Sequence, residues 1–397
     1  MGKRADRRAR RARPCLDAGH DDSGNACILA VAAQQDEGLR MKPNFLKPEH
    51  RGATMNSFLQ KTALGVSLAL SMGSYASAAD QALIDAAKKE GSLVWYTTYI
   101  VNSFVVPVTR AFEKKYGIRV EYTRSNGADL TLRIDNESAA GRMASDVFDC
   151  ANCLSLYKSG YAEPFVPDTA AAYPAGYADP HKLWVSPTAS FMTLAYNKLE
   201  VKPDEAPKTF EALLDPKWKG KMGWTTSLNV TGAPGFIGVA LASMGEQKGM
   251  EYLRKLATQK IVNVPASQRV VLDQTISGER PLALMVFNHH VQQSKSKGAP
   301  VEWVHFQPVI GTLTYMSITK GGPHPNAAKL FLDYMMSEEG QKVIASTGQI
   351  PNHPKVPPAD PALRPDTGGF KAHMVTMDEL SAHLGGWIKI YKELFQK

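Results

Sequence analysis

LVWYTTYIVNSFVVPVTRAFEKKYGIRVEY, residues 93–122, is the stretch on which the fold turns. Leu93-Val94-Trp95-Tyr96 is an apolar run of strand length. From Ser103 to Tyr116 the apolar residues Val105, Val108, Phe112 and Tyr116 recur at helical spacing and share one face. Gly117 follows, where a left-handed cap ends a helix. Ile118-Arg119-Val120-Glu121-Tyr122 then alternates apolar and polar, as a half-buried strand does. Strand, helix and strand in so short a span form a crossover unit, and such units build parallel sheets with right-handed connections.

The pattern continues downstream. Asp129–Ala140 reads as a helix stopped by Gly141, Asp146–Asp149 as a third strand, and a helical run starts near Leu154. In parallel α/β sheets ligands sit beyond the carboxyl ends of the strands. Those ends are Thr97-Thr98-Tyr99, Arg124-Ser125-Asn126-Gly127 and Cys150-Ala151-Asn152, all small or polar loops. Plain structural roles stand beside the binding roles: Arg124 as a solvated charge, Asn126-Gly127 as a turn. After a Pro-rich aromatic segment, Trp184–Asn197 is an extended run suited to crossing between lobes.

A second α/β unit follows. Lys221–Trp224 is a strand leading into Thr225-Thr226-Ser227, which suit either helix capping or anion binding. Helical stretches run from about Gly235 to Met244 and from Gly249 to Gln259. Ile261–Val264 is a strand, and Ser267–Ser277 a helix with Ser267 as N-cap and Arg269 in its first turn. Pro281–Phe287 is a strand ending in Asn288-His289-His290; in an extended chain the two histidines would point to opposite faces. Trp303 and Tyr315 suit a core or hinge as well as a ligand. Pro325–Ser337 and Asp378–Phe395 are amphipathic helices.

Upstream, MNSFLQKTALGVSLALSMGSYASAAD (55–80) has the layout of a secretory signal: Lys61, an apolar stretch to Met72, and Ala76-Ser77-Ala78 for cleavage. It places the remainder in a bacterial periplasm after removal of 55–79. Residues 1–54 are read as an over-extended start ahead of Met55, disordered by composition. The whole chain has 46 Lys+Arg and 38 Asp+Glu; residues 1–79 hold 12 and 7 of them, leaving 34 against 31, a net charge of +3. So mild a charge removes the case for nucleic acid. Cys150 and Cys153 remain as C-x-x-C after a strand and before a helix. A disulfide or buried pair, a periplasmic thiol-redox centre and part of a metal site all stay open. No G-x-S-x-G, H-E-x-x-H, dinucleotide or P-loop motif is present, so no catalytic centre is expected.

Several motifs together resemble the ABC-transporter substrate-binding proteins of the ferric-ion type. Tyr196-Asn197, Ala206-Pro207-Lys208-Thr209 and Leu214-Asp215-Pro216-Lys217-Trp218-Lys219-Gly220-Lys221 match that family's middle signature. Ser277–Leu282, then Pro325–Phe331 with Ser337-Glu338-Glu339-Gly340-Gln341, match its later segments. The resemblance implies a two-lobed α/β periplasmic-binding fold with parallel-rich sheets, helices on both faces and a ligand cleft between lobes. Lobe 1 would span 80–184, lobe 2 185–308, and 309–397 would return to lobe 1 and add the C-terminal helices. It further implies a monomer that delivers its cargo to an inner-membrane permease, with no resident cofactor. Ferric binders of the family end the strand matching Pro281–Phe287 with two tyrosines, hard ligands for Fe(III); here His289-His290 stand in their place. The expected ligand is therefore a small organic or phosphorylated anion, held by Thr97, Thr98, Tyr99, Arg124, Ser125, Asn126, Asn152, Thr225, Thr226, Ser227, Arg269, Asn288, His289 and His290. The alternative cargo is a metal ion or ferric chelate on His289 and His290.

Overall fold

The computed structural model describes residues 81–396. The signal segment and the residues before it lie outside the described residues. The first crossover unit forms where the periodicity places it. After α1 (Gln81–Glu90) come β1 (Ser92–Thr97), a π-turn over Val101–Val105, and α2 (Val106–Tyr116), with Gly117 left-handed at its end. Then come β2 (Arg119–Arg124), α3 (Gly127–Ala139), β3 (Val147–Cys150), α4 (Leu154–Lys158) and the short β4 (Ala162–Glu163). The long β5 (Val185–Asn197) follows.

The second unit comprises β6 (Met222–Thr225), α5 (Ala233–Met244), α6 (Glu246–Ala257), β7 (Val262–Val264), α7 (Gln268–Ile276) and β8 (Leu282–Phe287). It continues through α8 (Asn288–Ser296) and β9 (Val301–Val304). The chain then returns along β10 (Val309–Thr319) into α9 (Pro325–Met336), α10 (Glu338–Ser346), β11 (Ile350–Pro351), α11 (Pro365–Gly368), β12 (Ala372–Met374) and α12 (Met377–Phe395).

The main sheet runs β2-β1-β3-β10-β5-β8-β6-β7. β1 is parallel to β2 and β3, and β6 is parallel to β7 and β8. The two parallel groups are joined by β5 and β10, which are antiparallel to each other and to their neighbours β8 and β3. The parallel expectation thus holds for each outer group, while the joining pair reverses direction because both strands cross from one group to the other.

One face of the first group buries Trp95, Phe104, Phe112, Phe331 and Tyr334 beneath α2 and α9. The same face of the second group buries Trp224, Phe236 and Leu253 with Trp387, Tyr391 and Phe395 of α12. Gly238 on α5 makes room for that last helix, since a Cβ there would lie 2.5 Å from the Trp387 ring. The opposite face of the sheet carries a third core, in which Phe148, Phe191, Tyr315, Trp303, Val291 and Phe370 all take part.

Candidate functional site

At the end of β1 the chain is tightly wired. Thr98 donates its backbone N–H and its Oγ1–H to Asp149 Oδ1 at 2.9 and 2.6 Å, and Trp95 Nε1 donates to Asp149 Oδ2 at 2.8 Å. Asp149 is fully buried at the end of β3. Burial pushes its carboxyl up to about 6, against the pull of those donors. Thr97 is buried and accepts the Tyr99 N–H through Oγ1. The Tyr99 ring stacks on Phe104 at 3.9 Å and its hydroxyl meets Thr188 Oγ1 of β5 at 2.5 Å. Burial and the nearby Asp149 carboxylate hold that hydroxyl far above the usual phenol range. Of the three loop residues, Thr98 alone is not classed as buried.

The other first-half candidates are less committed. Arg124 is exposed at the end of β2. Ser125 and Asn126 turn inward on α3: Asn126 accepts the Asp129 N–H as N-cap, and both side chains donate to Asp129 Oδ2. Asn152 is half-buried between Cys150 and Cys153, which are joined as a disulfide. Both cysteines are buried, so the bridge serves as a clasp between β3 and α4; thiol exchange would need access that burial denies.

In the second half, Thr225 donates to the Ala266 carbonyl at 2.5 Å and accepts the Ser227 N–H, while Thr226 N–H reaches the Val264 carbonyl. The loop then folds back so closely that a Cβ on Gly235 would lie 1.8 Å from the Val230 carbonyl oxygen. Ser267 occupies the N-cap of α7 but its hydroxyl makes no capping bond. Arg269 pairs with Asp273 at 2.7 Å and donates to Ser294 Oγ at 3.0 Å, so its guanidinium ties α7 to α8.

The two histidines require a correction. They do not alternate along a strand end, because β8 stops at Phe287 and Asn288 opens α8. Neighbours on a helix diverge by about 100° rather than 180°. The imidazoles accordingly sit together, centroids 4.5 Å apart and close to perpendicular, beside the Phe287 ring. Asn288 donates Nδ2–H to the Leu363 carbonyl at 2.9 Å. Its Oδ1, His289 Nδ1 and His290 Nδ1 are buried and have no partner within the protein. Burial depresses both imidazoles; His290 falls to about 4, with Arg269 adding to the fall and Asp273 opposing it. Both rings are neutral at pH 7.

Sequence reasoning missed one group. Thr188 and Ser190 on β5 face Thr314 and Thr312 on β10 in direct register. They lie on the sheet face that becomes apolar toward either end, through Met316 on one side and Met192 and Ile310 on the other. Four hydroxyl residues therefore floor the zone between the two cores. The signal was present as period-two spacing, Thr-x-Ser and Thr-x-Thr, inside apolar strands.

What the arrangement offers is hydrogen bonding. A helix N-terminus with open polar atoms attracts an anion or a polar group, and neutral imidazole can donate or accept. Among the described residues no cluster of three or more His, Cys, Asp or Glu side chains is placed to hold a metal ion. No described helix is long and apolar enough to cross a membrane.

Comparison with known proteins gives a consistent picture. Residues 108–367 match the family described as bacterial extracellular solute-binding protein. Iron uptake protein A1 of Synechocystis sp. is 23% identical over 299 residues, covering 71% of this chain and 81% of that protein. Iron-bound HitA from Pseudomonas aeruginosa superposes with a TM-score of 0.65 at 24% identity, over 76% of this chain and 99% of HitA. AfuA from Actinobacillus pleuropneumoniae, solved with fructose-6-phosphate, gives 0.63 at 21% identity, over 77% and 99%. At these identities the likeness to the solved structures speaks for the fold.

Proposed function

The chain belongs to the bacterial extracellular solute-binding protein family, and from that premise we propose that it is the periplasmic capture component of an ABC importer. Its two halves, divided where β5 and β10 cross, close on a small ligand and present it to a membrane permease. It acts as a monomer, by binding rather than catalysis, after export and loss of a signal segment. A ligand touching both halves stabilises the closed state relative to the open one, and the population shifts accordingly.

We assign the cargo as a small organic or phosphorylated anion. The observation that carries this is the trio of buried, unpartnered atoms at the start of α8: Asn288 Oδ1, His289 Nδ1 and His290 Nδ1. Leaving a buried polar atom unpaired costs roughly 1–3 kcal/mol, so three together mark a place where something else completes the bonding. The helix N-terminus favours negative charge there, and AfuA shows that this fold accommodates a sugar phosphate. Thr98, Ser125, Asn126, Arg124 and Asn152 would meet the ligand from the first half, and Thr226 and Ser227 from the second.

A second cargo, iron or a ferric chelate, is favoured by one feature. Two adjacent neutral imidazoles with open nitrogens are in the form that binds metal, and matched relatives are named for iron. Native mass spectrometry of the protein recovered from its own host separates the readings. A mass excess that fits an organic or phosphorylated anion supports the first; an excess of one metal ion, alone or with a chelator, overturns it in favour of the second.

A further inference from the structure

The chain crosses between the halves a third time. β11 lies beside α10 in the first half and pairs with Thr188 and Ala189 of β5. β12 pairs with Val309–Gly311 of β10 and leads into α12, which covers the second core. From Pro351 to Ala372 is 21 residues, and a chain of that length, drawn out, spans roughly 70 Å. As a plain tether it would restrain nothing.

Arg364 takes up the slack. Its Nη1 donates to the carbonyls of Pro351, His353 and Val356 at 3.1, 3.4 and 2.9 Å, and its Nε and Nη2 donate to the Asp366 carboxylate at 2.7 and 3.0 Å. The stretch it gathers has no strand beyond Pro351, so the guanidinium supplies donors that a sheet ladder would otherwise give to these carbonyls. The same stretch is fixed to the first half. Gln341 Oε1 of α10 accepts the backbone N–H of Asn352 and of His353 at 2.9 and 3.0 Å, and the His353 ring stands edge-on to Tyr173 at 5.3 Å. Leu363, the residue before Arg364, reaches the other half: its carbonyl accepts Asn288 Nδ2–H of α8 at 2.9 Å. Further along α8, Gln293 Nε2 donates to the Gly348 carbonyl at 3.4 Å. Gly348 is left-handed, and a Cβ there would lie 2.7 Å from Gln293 Nε2. The helix α8 is therefore tied twice to the segment that follows α10.

We propose that residues 348–364 form a strap, clasped by Arg364, that holds the second half to the first through α8 with or without cargo and limits how far the halves swing apart. The clasp matters because it shortens the tether. With Pro351, His353 and Val356 gathered on Arg364, the free run to β12 is eight residues, Arg364 to Ala372, and spans under about 30 Å. It also fixes where the Leu363 carbonyl stands, and so where α8 is held. A lysine cannot do this, because its ammonium lacks the planar fork that bonds carbonyls on one side and a carboxylate on the other. A limited swing keeps both faces of the cleft within reach of one small ligand, so closure needs only a small movement about the crossing strands.

The test is a distance between the halves, measured in the full chain after dialysis to remove small molecules. Leu132 on α3 and Val270 on α7 are exposed, one in each half. Leu132→Cys and Val270→Cys, together with Cys15→Ser and Cys27→Ser, take two spin labels while the Cys150–Cys153 bridge stays closed. Pulsed electron paramagnetic resonance then reads the distribution of their separation. Arg364→Gln should at least roughly double the width of that distribution, with the far-UV circular dichroism unchanged. If that variant fails to fold, Asn288→Ala combined with Gln293→Ala cuts the same ties from the α8 side and should widen the distribution likewise. A distribution that matches the parent in either variant overturns the proposal. No cargo enters the measurement, so its failure leaves the capture reading standing, and failure to find a cargo leaves the strap standing.

Discussion

At the end of β1 a buried carboxylate has every donor in place; at the end of β8 three buried polar atoms have none. The first region is ionised and wired, the second neutral and open. Both are built at the carboxyl ends of parallel strands, yet they solve opposite problems. A charge can be kept in a low-dielectric interior when rigid donors surround it. Open hydrogen-bonding capacity can be kept there when the groups carry no charge and a ligand completes them. The wired side gives shape and the open side gives affinity.

The largest expected effect falls in the second half of the molecule, at the turn into α5. Gly235→Ala sets a methyl against the Val230 carbonyl with no flexible neighbour to yield, and should lower stability by about 3 kcal/mol, read by urea denaturation. The paired variants Asp149→Asn and His290→Ala come next, because the two regions have opposite pH signatures. The folded carboxyl of Asp149 lies above its unfolded value, so its contribution is present below about pH 4 and lost as pH rises through 6. The folded imidazole of His290 lies below its unfolded value, so its contribution is present above about pH 6.5 and lost as pH falls toward 4. In the parent chain the two trends offset each other. Asp149→Asn should lose less stability on going from acid to neutral pH, and His290→Ala less on going from neutral to acid. Each difference is about 2–3 kcal/mol across the window, and matching slopes in both variants would abolish the contrast.

A smaller effect sharpens it. His290→Ala should weaken binding of the captured ligand by at least tenfold, roughly 1.4 kcal/mol by calorimetry; unchanged affinity would remove His290 from the site. The smallest compares two caps. Asn126 caps α3 through a real bond, and Asn126→Ala should cost about 1 kcal/mol in thermal unfolding. Ser267 stands at the N-cap of α7 without one, so Ser267→Ala should stay within about 0.5 kcal/mol of the parent.

Much of this was legible in the sequence. The 93–122 unit, the long strand to Asn197 and the strand-end loops follow from periodicity and glycine placement, which are local signals. The start of α8 was not, because Asn, His and His are weak helix formers and Phe287 supplies no side-chain cap. The hydroxyl floor was hidden for another reason: Thr188 meets Thr314 only through strand pairing across a long stretch of chain. Asp149 read as an ordinary strand residue because its donors come from Trp95 and Thr98, 54 and 51 residues away.

The seat of Trp387 against Gly238 bears on timing. Trp224 packs against Tyr391 and Phe395 of α12, and Gly238 against Trp387, so the second core stays open while the intervening chain is still being made. Contacts between such distant residues form late and slowly. A polypeptide that is threaded through a membrane must stay unfolded until it emerges. In this chain the order of the residues themselves separates Gly238 from the ring that covers it, Trp387 of α12.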